Sequence, residues 1–230
     1  MNPPRALATT SLTDYANDLE ALIAELGTTP ILIGHSLGGL LAQILAARGL
    51  ARTVVLLAPS APWGVIPSTF FEIGSAQALF FAGDFWNQIL MPHYAIAAAN
   101  SLDKLSAKKR DAVYARFVPE SGLATFETLH WMLDSRRAAY VRANNVACPI
   151  ICLSGGEDKI NPPSTVRKIV ERYRSAVHEV LPGRSHWLLV EDGWQTVAAR
   201  ILRWLSETLV TEAEVPTANR HQSGVHENLS

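Results

Sequence analysis

Apolar positions recur at two periods along this chain, and the alternation between them predicts an α/β architecture. Leu12, Tyr15, Ala16, Leu19, Leu22, Ile23 and Leu26 lie at helical spacing, with Ser11 or Thr13 able to cap the start and Gly27 placed to end it. Pro30-Ile31-Leu32-Ile33 is a short unbroken apolar run, with the length and branching of a buried strand. Residues 38–48 are rich in helix formers, and Thr53-Val54-Val55-Leu56-Leu57-Ala58 is a second buried strand. Strand, helix and strand joined by short links make a βαβ unit, and hence a parallel sheet.

The pattern changes after residue 58. Pro59, Pro62, Gly64 and Pro67 break the chain, and helical patterns dense in Phe, Trp and Ala follow. Amphipathic helices are expected over residues 104–116 and 125–144, with no strand, so residues 63–145 are expected to form an all-helical insertion. The earlier alternation then resumes, with strands at 149–154 and 177–181 and helices at 164–175 and 194–209. Residues 1–62 and 146–209 therefore form one core, and the polar stretch 210–230 is expected to be a disordered tail.

Composition narrows the function classes. The 230 residues are 48% hydrophobic and 18% charged, enough for one sizeable core, and the net charge of -1 offers no basic field for nucleic acid. No run approaches the roughly 20 apolar residues of a membrane span, and Met1-Asn2-Pro3-Pro4-Arg5 lacks the apolar region of a signal peptide. Cys148 and Cys152 flank an expected strand, where positions four apart lie about 13 Å from each other, too far for a disulfide. A cytoplasmic setting follows. No His/Cys/Asp cluster has metal spacing, and Gly155-Gly156 lacks the Lys-Ser/Thr of a phosphate loop, so no metal or cofactor is expected.

The chemistry concentrates in three loops. Gly34-His35-Ser36-Leu37-Gly38 joins the 30–33 strand to the following helix, and G-x-S-x-G in that setting lifts a serine hydroxyl above the sheet on a strained turn. Gly34 and Gly38 are expected to let the neighbouring backbone pack close. A serine hydroxyl needs a base within hydrogen-bond reach, itself oriented by a carboxylate. Asp158, just past the third strand, is the candidate acid, with Glu157 the competing carboxylate; His186, just past the fourth, is the candidate base. All three loops leave the carboxyl ends of parallel strands, the edge where such sheets bind ligands. His35 is adjacent to the nucleophile and points away from it; the remaining histidines lie in the insertion, on a strand or in the tail.

These residues carry a resemblance to the α/β-hydrolase superfamily: Gly34-His35-Ser36-Leu37-Gly38-Gly39, Gly155-Gly156-Glu157-Asp158 and Gly183-Arg184-Ser185-His186-Trp187. The resemblance implies a parallel-sheet hydrolase core with an inserted helical cap. It also implies Ser36 as nucleophile, Asp158 as acid, His186 as base and the Leu37 backbone N–H as an oxyanion donor. Family members usually place a His-Gly-type loop and further strands ahead of the elbow, and only 35 residues precede Ser36 here. The core is accordingly expected to be short at its N-terminal side, with a bare edge on the 30–33 strand that invites a homodimer. The second oxyanion donor is left unassigned, and losing one such donor typically costs about 10²–10³ in rate.

Two functions follow as expectations. The first is a serine hydrolase acting on a small apolar ester through an acyl-enzyme, with Trp63, Phe70, Phe71, Phe81, Trp131 and Trp187 lining the acyl site. The same triad also suits perhydrolysis or hydroxynitrile lyase chemistry. The second is a truncated, catalytically impaired member of the fold that binds small molecules or a partner chain.

Overall fold

In the computed structural model, residues 4–81 and 83–214 are described, with the side chains of 211–214 excepted. The polar stretch expected to form a tail lies outside them from residue 215 onward. The first helix, α1 (Leu12–Leu26), is capped by Ser11, whose Oγ accepts the Thr13 N–H while Asp14 takes the Ser11 N–H, and Gly27 ends it at φ 66°. Next come β1 (Ile31–His35), α2 (Leu37–Ala47) and β2 (Thr53–Leu57). After the insertion, β5 (Ile150–Gly155), α7 (Pro163–Val170), β6 (Ala176–Leu181) and α8 (Trp194–Glu214) complete the chain.

The four long strands form one parallel sheet in the order β1-β2-β5-β6. Side-chain alternation divides the core between its two faces. Val54, Leu56, Ile150 and Cys152 pack with α1, α2 and α7, whereas Val55, Leu57, Ile151 and Leu153 pack against Val197, Ile201, Trp204 and Leu205 of α8. Every residue of β2 and β5 is buried, which accounts for their unbroken apolar runs. Among the described residues β1 pairs only with β2, and Ile31 and Ile33 on it are 37% and 60% exposed.

Between β2 and β5 the chain forms α3 (Phe70–Phe81), β3 (Ile89–Leu90), α4 (Tyr94–Asn100), α5 (Ala107–Tyr114), β4 (Glu120–Ser121) and α6 (Gly122–Leu129). The expected all-helical segment thus also holds a two-residue antiparallel ladder, Ile89 opposite Ser121 and Leu90 opposite Glu120. The helix expected over 125–144 ends at His130. The buried Asp134 carboxylate accepts the N–H groups of Arg136 (2.9 Å) and Ala138 (2.6 Å), and this local turn replaces the helix.

The insertion is tied to α1 through a charge taken out of water. Glu127 on α6 is 1% exposed; it accepts Ser11 Oγ–H at 2.8 and 3.0 Å and Leu12 N–H at 2.7 Å. Tyr15 adds a 2.6 Å bond to Glu120, and Ser121 Oγ–H donates to the carbonyls of Ala8 and Thr10.

Candidate active site

The turn from β1 into α2 presents Ser36 at φ 52°, ψ −120°, a strained conformation for a residue with a Cβ. Hydrogen bonds over-determine it. Ser36 N–H donates to the Leu57 carbonyl at 3.1 Å, and the Ser36 carbonyl accepts from Gly39 and Ser60, each at 2.9 Å. A Cβ at Gly34 would lie 2.3 Å from the Gly38 carbonyl oxygen, and one at Gly39 would meet Pro59 at 2.7 Å. Gly38, expected to be needed for the same reason, has open space where a Cβ would stand. The close approach is made by Gly34 and Gly39.

The structure brings Ser36, His186 and Asp158 together. His186 Nε2 lies 3.1 Å from Ser36 Oγ, and its Nδ1 lies 2.9 Å from Asp158 Oδ2. A carboxylate oxygen only accepts, so Nδ1 carries the ring proton and Nε2 is left to accept from the serine. The other Asp158 oxygen takes the N–H groups of Ile160 (2.8 Å) and Asn161 (2.9 Å), fixing the carboxylate plane. Asp158 and His186 are 3% and 4% exposed, so water does not compete for these bonds. Glu157, the competing acid, points elsewhere and pairs with Lys104.

The loops carrying Asp158 and His186 sit close because Gly155 has no side chain. A Cβ there would stand 2.2 Å from the Ser185 carbonyl oxygen. The histidine loop is also held by groups with no local sequence signature. The buried Glu191 carboxylate accepts the Ser185 N–H at 3.0 and 3.2 Å; burial pushes its pKa up, against the pull of that bond. Asp103, from the insertion, accepts Ser185 Oγ–H at 2.7 Å and pairs with Lys159 at 2.9 Å. Partial burial opposes its ionisation, but the Lys159 ammonium and the Ser185 hydroxyl outweigh burial and hold it below the usual carboxylate range.

Leu37 opens α2 as its first residue, next to Ser36, so its N–H has no intrahelical partner and lies at the positive end of the helix. Of the six candidate lining residues, Trp187 alone belongs to this neighbourhood, with its ring 5.1 Å from that of His35. Trp63 and Trp131 pack against each other at 5.2 Å on the edge of the main core. Phe70, Phe71 and Phe81 lie on the surface of α3, at 96%, 40% and 83% exposure. A cavity of about 470 Å³ is bounded by Trp63, Val65, Ile66, Tyr140, Lys168 and Arg172 and shares no residue with the Ser36–His186–Asp158 group. Among the described residues, no cluster of three or more His, Cys, Asp or Glu could hold a metal, and no helix is long and apolar enough to cross a membrane.

The chain belongs to the alpha/beta hydrolase family, whose family model matches residues 3–200. Solved structures share its fold. A monoacylglycerol lipase from Paleococcus ferrophilus is 23% identical over 87% of this chain and 77% of its own, with a TM-score of 0.59. A thermophilic esterase from Thermogutta terrifontis is 18% identical over 87% of this chain and 74% of its own, with a TM-score of 0.61. A putative non-heme bromoperoxidase, BpoC, from Mycobacterium tuberculosis H37Rv is 18% identical over 86% and 75%, with a TM-score of 0.57. No curated protein matches the chain.

Proposed function

We propose that this hydrolase cleaves small apolar carboxylic esters through an acyl-enzyme, with Ser36 as nucleophile, His186 as base and Asp158 as the acid that orients it. The observation that carries the reading is the unbroken line of bonds from Asp158 through His186 to Ser36, at 2.9 and 3.1 Å. Ser36 Oγ attacks the ester carbonyl as its proton passes to His186 Nε2. The oxyanion forms against the Leu37 N–H. As the tetrahedral adduct collapses, the C–O bond to the alcohol breaks and His186 returns the proton to the leaving oxygen. Water, deprotonated by the same imidazole, then releases the acid and restores the serine. Lipase and esterase relatives on the same fold support the ester class.

Residues 63–145 serve as the cap in this reading, and Trp187 borders the acyl site. A cytoplasmic setting belongs to the same proposal. So does a homodimer through β1, favoured by the exposed Ile31 and Ile33 on a strand that among the described residues is paired along one edge.

Hydrolysis of p-nitrophenyl acetate and butyrate by the whole chain tests the reading. Turnover is expected, with Ser36→Ala lowering kcat by about 10⁴-fold or more. A phosphonate probe is expected to label Ser36 but not to label His186→Ala. A folded wild-type chain that neither turns over nor labels removes the catalytic reading and leaves the ligand-binding one.

A further inference from the structure

His35 sits beside the nucleophile yet takes no part in the proton path. Its side chain turns from Ser36 toward the loop that carries the base. The His186 carbonyl oxygen lies 2.9 Å from His35 Nε2, and since a carbonyl only accepts, His35 donates through a proton on Nε2. The two imidazole centroids are 4.8 Å apart. Trp187 packs on His35 at 5.1 Å and is stacked on Phe117 at 5.6 Å and 22°. Main-chain bonds hold the loop following β6 on either side of His186, Gly156 N–H donating to Leu181, Glu157 N–H to Arg184 and Val190 N–H to Trp187, and none of them reaches the His186 carbonyl. Among the described residues, His35 supplies the one hydrogen bond to the His186 carbonyl.

We infer that His35 is a positioning residue: by holding the His186 main chain from beneath, it sets the imidazole of His186 over the Ser36 hydroxyl. The geometry makes this a closed clamp. Residues 35 and 36 are neighbours on a turn fixed by its own hydrogen bonds, so one rigid element carries both the serine and the support for its base. Ser185 is held independently by Asp103 and Glu191, and Trp187 by Phe117, which leaves the His186 carbonyl to His35. Burial, reinforced by the neighbouring His186, lowers the pKa of His35 to about 4; the His186 carbonyl and Asp158 pull the other way. His35 therefore remains neutral while His186 cycles through its cation, and its Nε2–H stays a donor throughout.

The inference rests on the hydrolase reading only for its kinetic arm. The other arm is the far low-field proton resonance of His186 Nδ1–H in the substrate-free chain, assigned by its loss in His186→Ala. His35→Phe keeps a ring without a donor, His35→Asn is too short to reach the carbonyl, and His35→Gln restores an N–H at about the right reach. The resonance is expected to persist in wild type and Gln and to broaden or vanish in Phe and Asn. With p-nitrophenyl butyrate, kcat is expected to fall about 10–100-fold in Phe and Asn with KM within twofold, and to recover to within threefold of wild type in Gln. Thermal melts establish folding, and Asn decides the question if Phe does not fold. A sharp resonance in a folded Phe or Asn variant, or unchanged kcat, overturns the inference, as does failure of Gln to restore either readout. A wild-type chain without ester turnover sinks the ester reading alone, because the resonance still decides the role of His35.

Discussion

A side chain at position 34 has nowhere to go. The atoms it would meet at 2.3–2.8 Å belong to the Gly38 and Gly39 backbone, which cannot swing aside as a flexible side chain would. Gly34→Ala is therefore expected to cost about 3 kcal/mol or more, read as a shift in the urea midpoint. Gly38→Ala, with open space and a helical backbone, is expected to be neutral or to stabilise by up to about 1 kcal/mol. The grouping of Ser36, His186 and Asp158 was legible in the sequence because each follows a strand and Ser36 has a local glycine signature. His35 was legible only as a histidine facing away from Ser36. Its partner is a backbone carbonyl 151 residues later, and no pattern in side-chain identity reports a backbone acceptor. Glu191 and Asp103 were not legible either, since their work depends on burial and on a loop's return.

At the scale of elements, the junction of α1 with α6 depends on one carboxylate. Glu127→Ala leaves the Ser11 hydroxyl and the Leu12 N–H without their partner, and a loss of about 2–4 kcal/mol is expected by chemical denaturation. The pH dependence of this contribution runs opposite to that of an ordinary salt bridge. Burial raises the folded-state pKa of Glu127, outweighing the bonds from Leu12 and Ser11, so the folded chain binds its proton more tightly than the unfolded chain does. This contribution is full below the unfolded value of 4.5, and it falls as pH rises through the elevated folded value. The stability of wild type relative to Glu127→Gln is expected to decline across that window. A buried glutamate on a helix has no local sequence signal, yet it is one of the tertiary contacts that fix where the insertion sits. The β3–β4 ladder was equally hidden, because two residues per strand show no period. The long strands β2 and β5 were plain from their continuous apolar runs.

For the whole molecule, the decisive surface is the side of β1 that no strand pairs among the described residues. Apolar edges of this kind recruit other chains. A sedimentation mass that rises with concentration is expected, returning to the monomer value in Ile33→Lys, which places a charge on the most exposed apolar residue of the strand. A monomeric wild type at all concentrations removes the proposed dimer.

The order of the sheet carries a consequence for how the chain reaches its native state. β1, α2 and β2 assemble from neighbouring sequence, but β2 finds its second partner only after the insertion has passed. Thr53 and Pro149, bonded across that junction, are 96 residues apart. Until they meet, Val54 to Leu57 stand as a wholly apolar strand with a free side, the state most exposed to misassembly. The equilibrium penalty of the detour is small, since each doubling of a closing loop adds only about 0.6 kcal/mol. What holds the insertion in place at equilibrium is its own packing, with Ala124, Ala139 and Val141 in the main core and Glu127 bonded to Ser11 and Leu12.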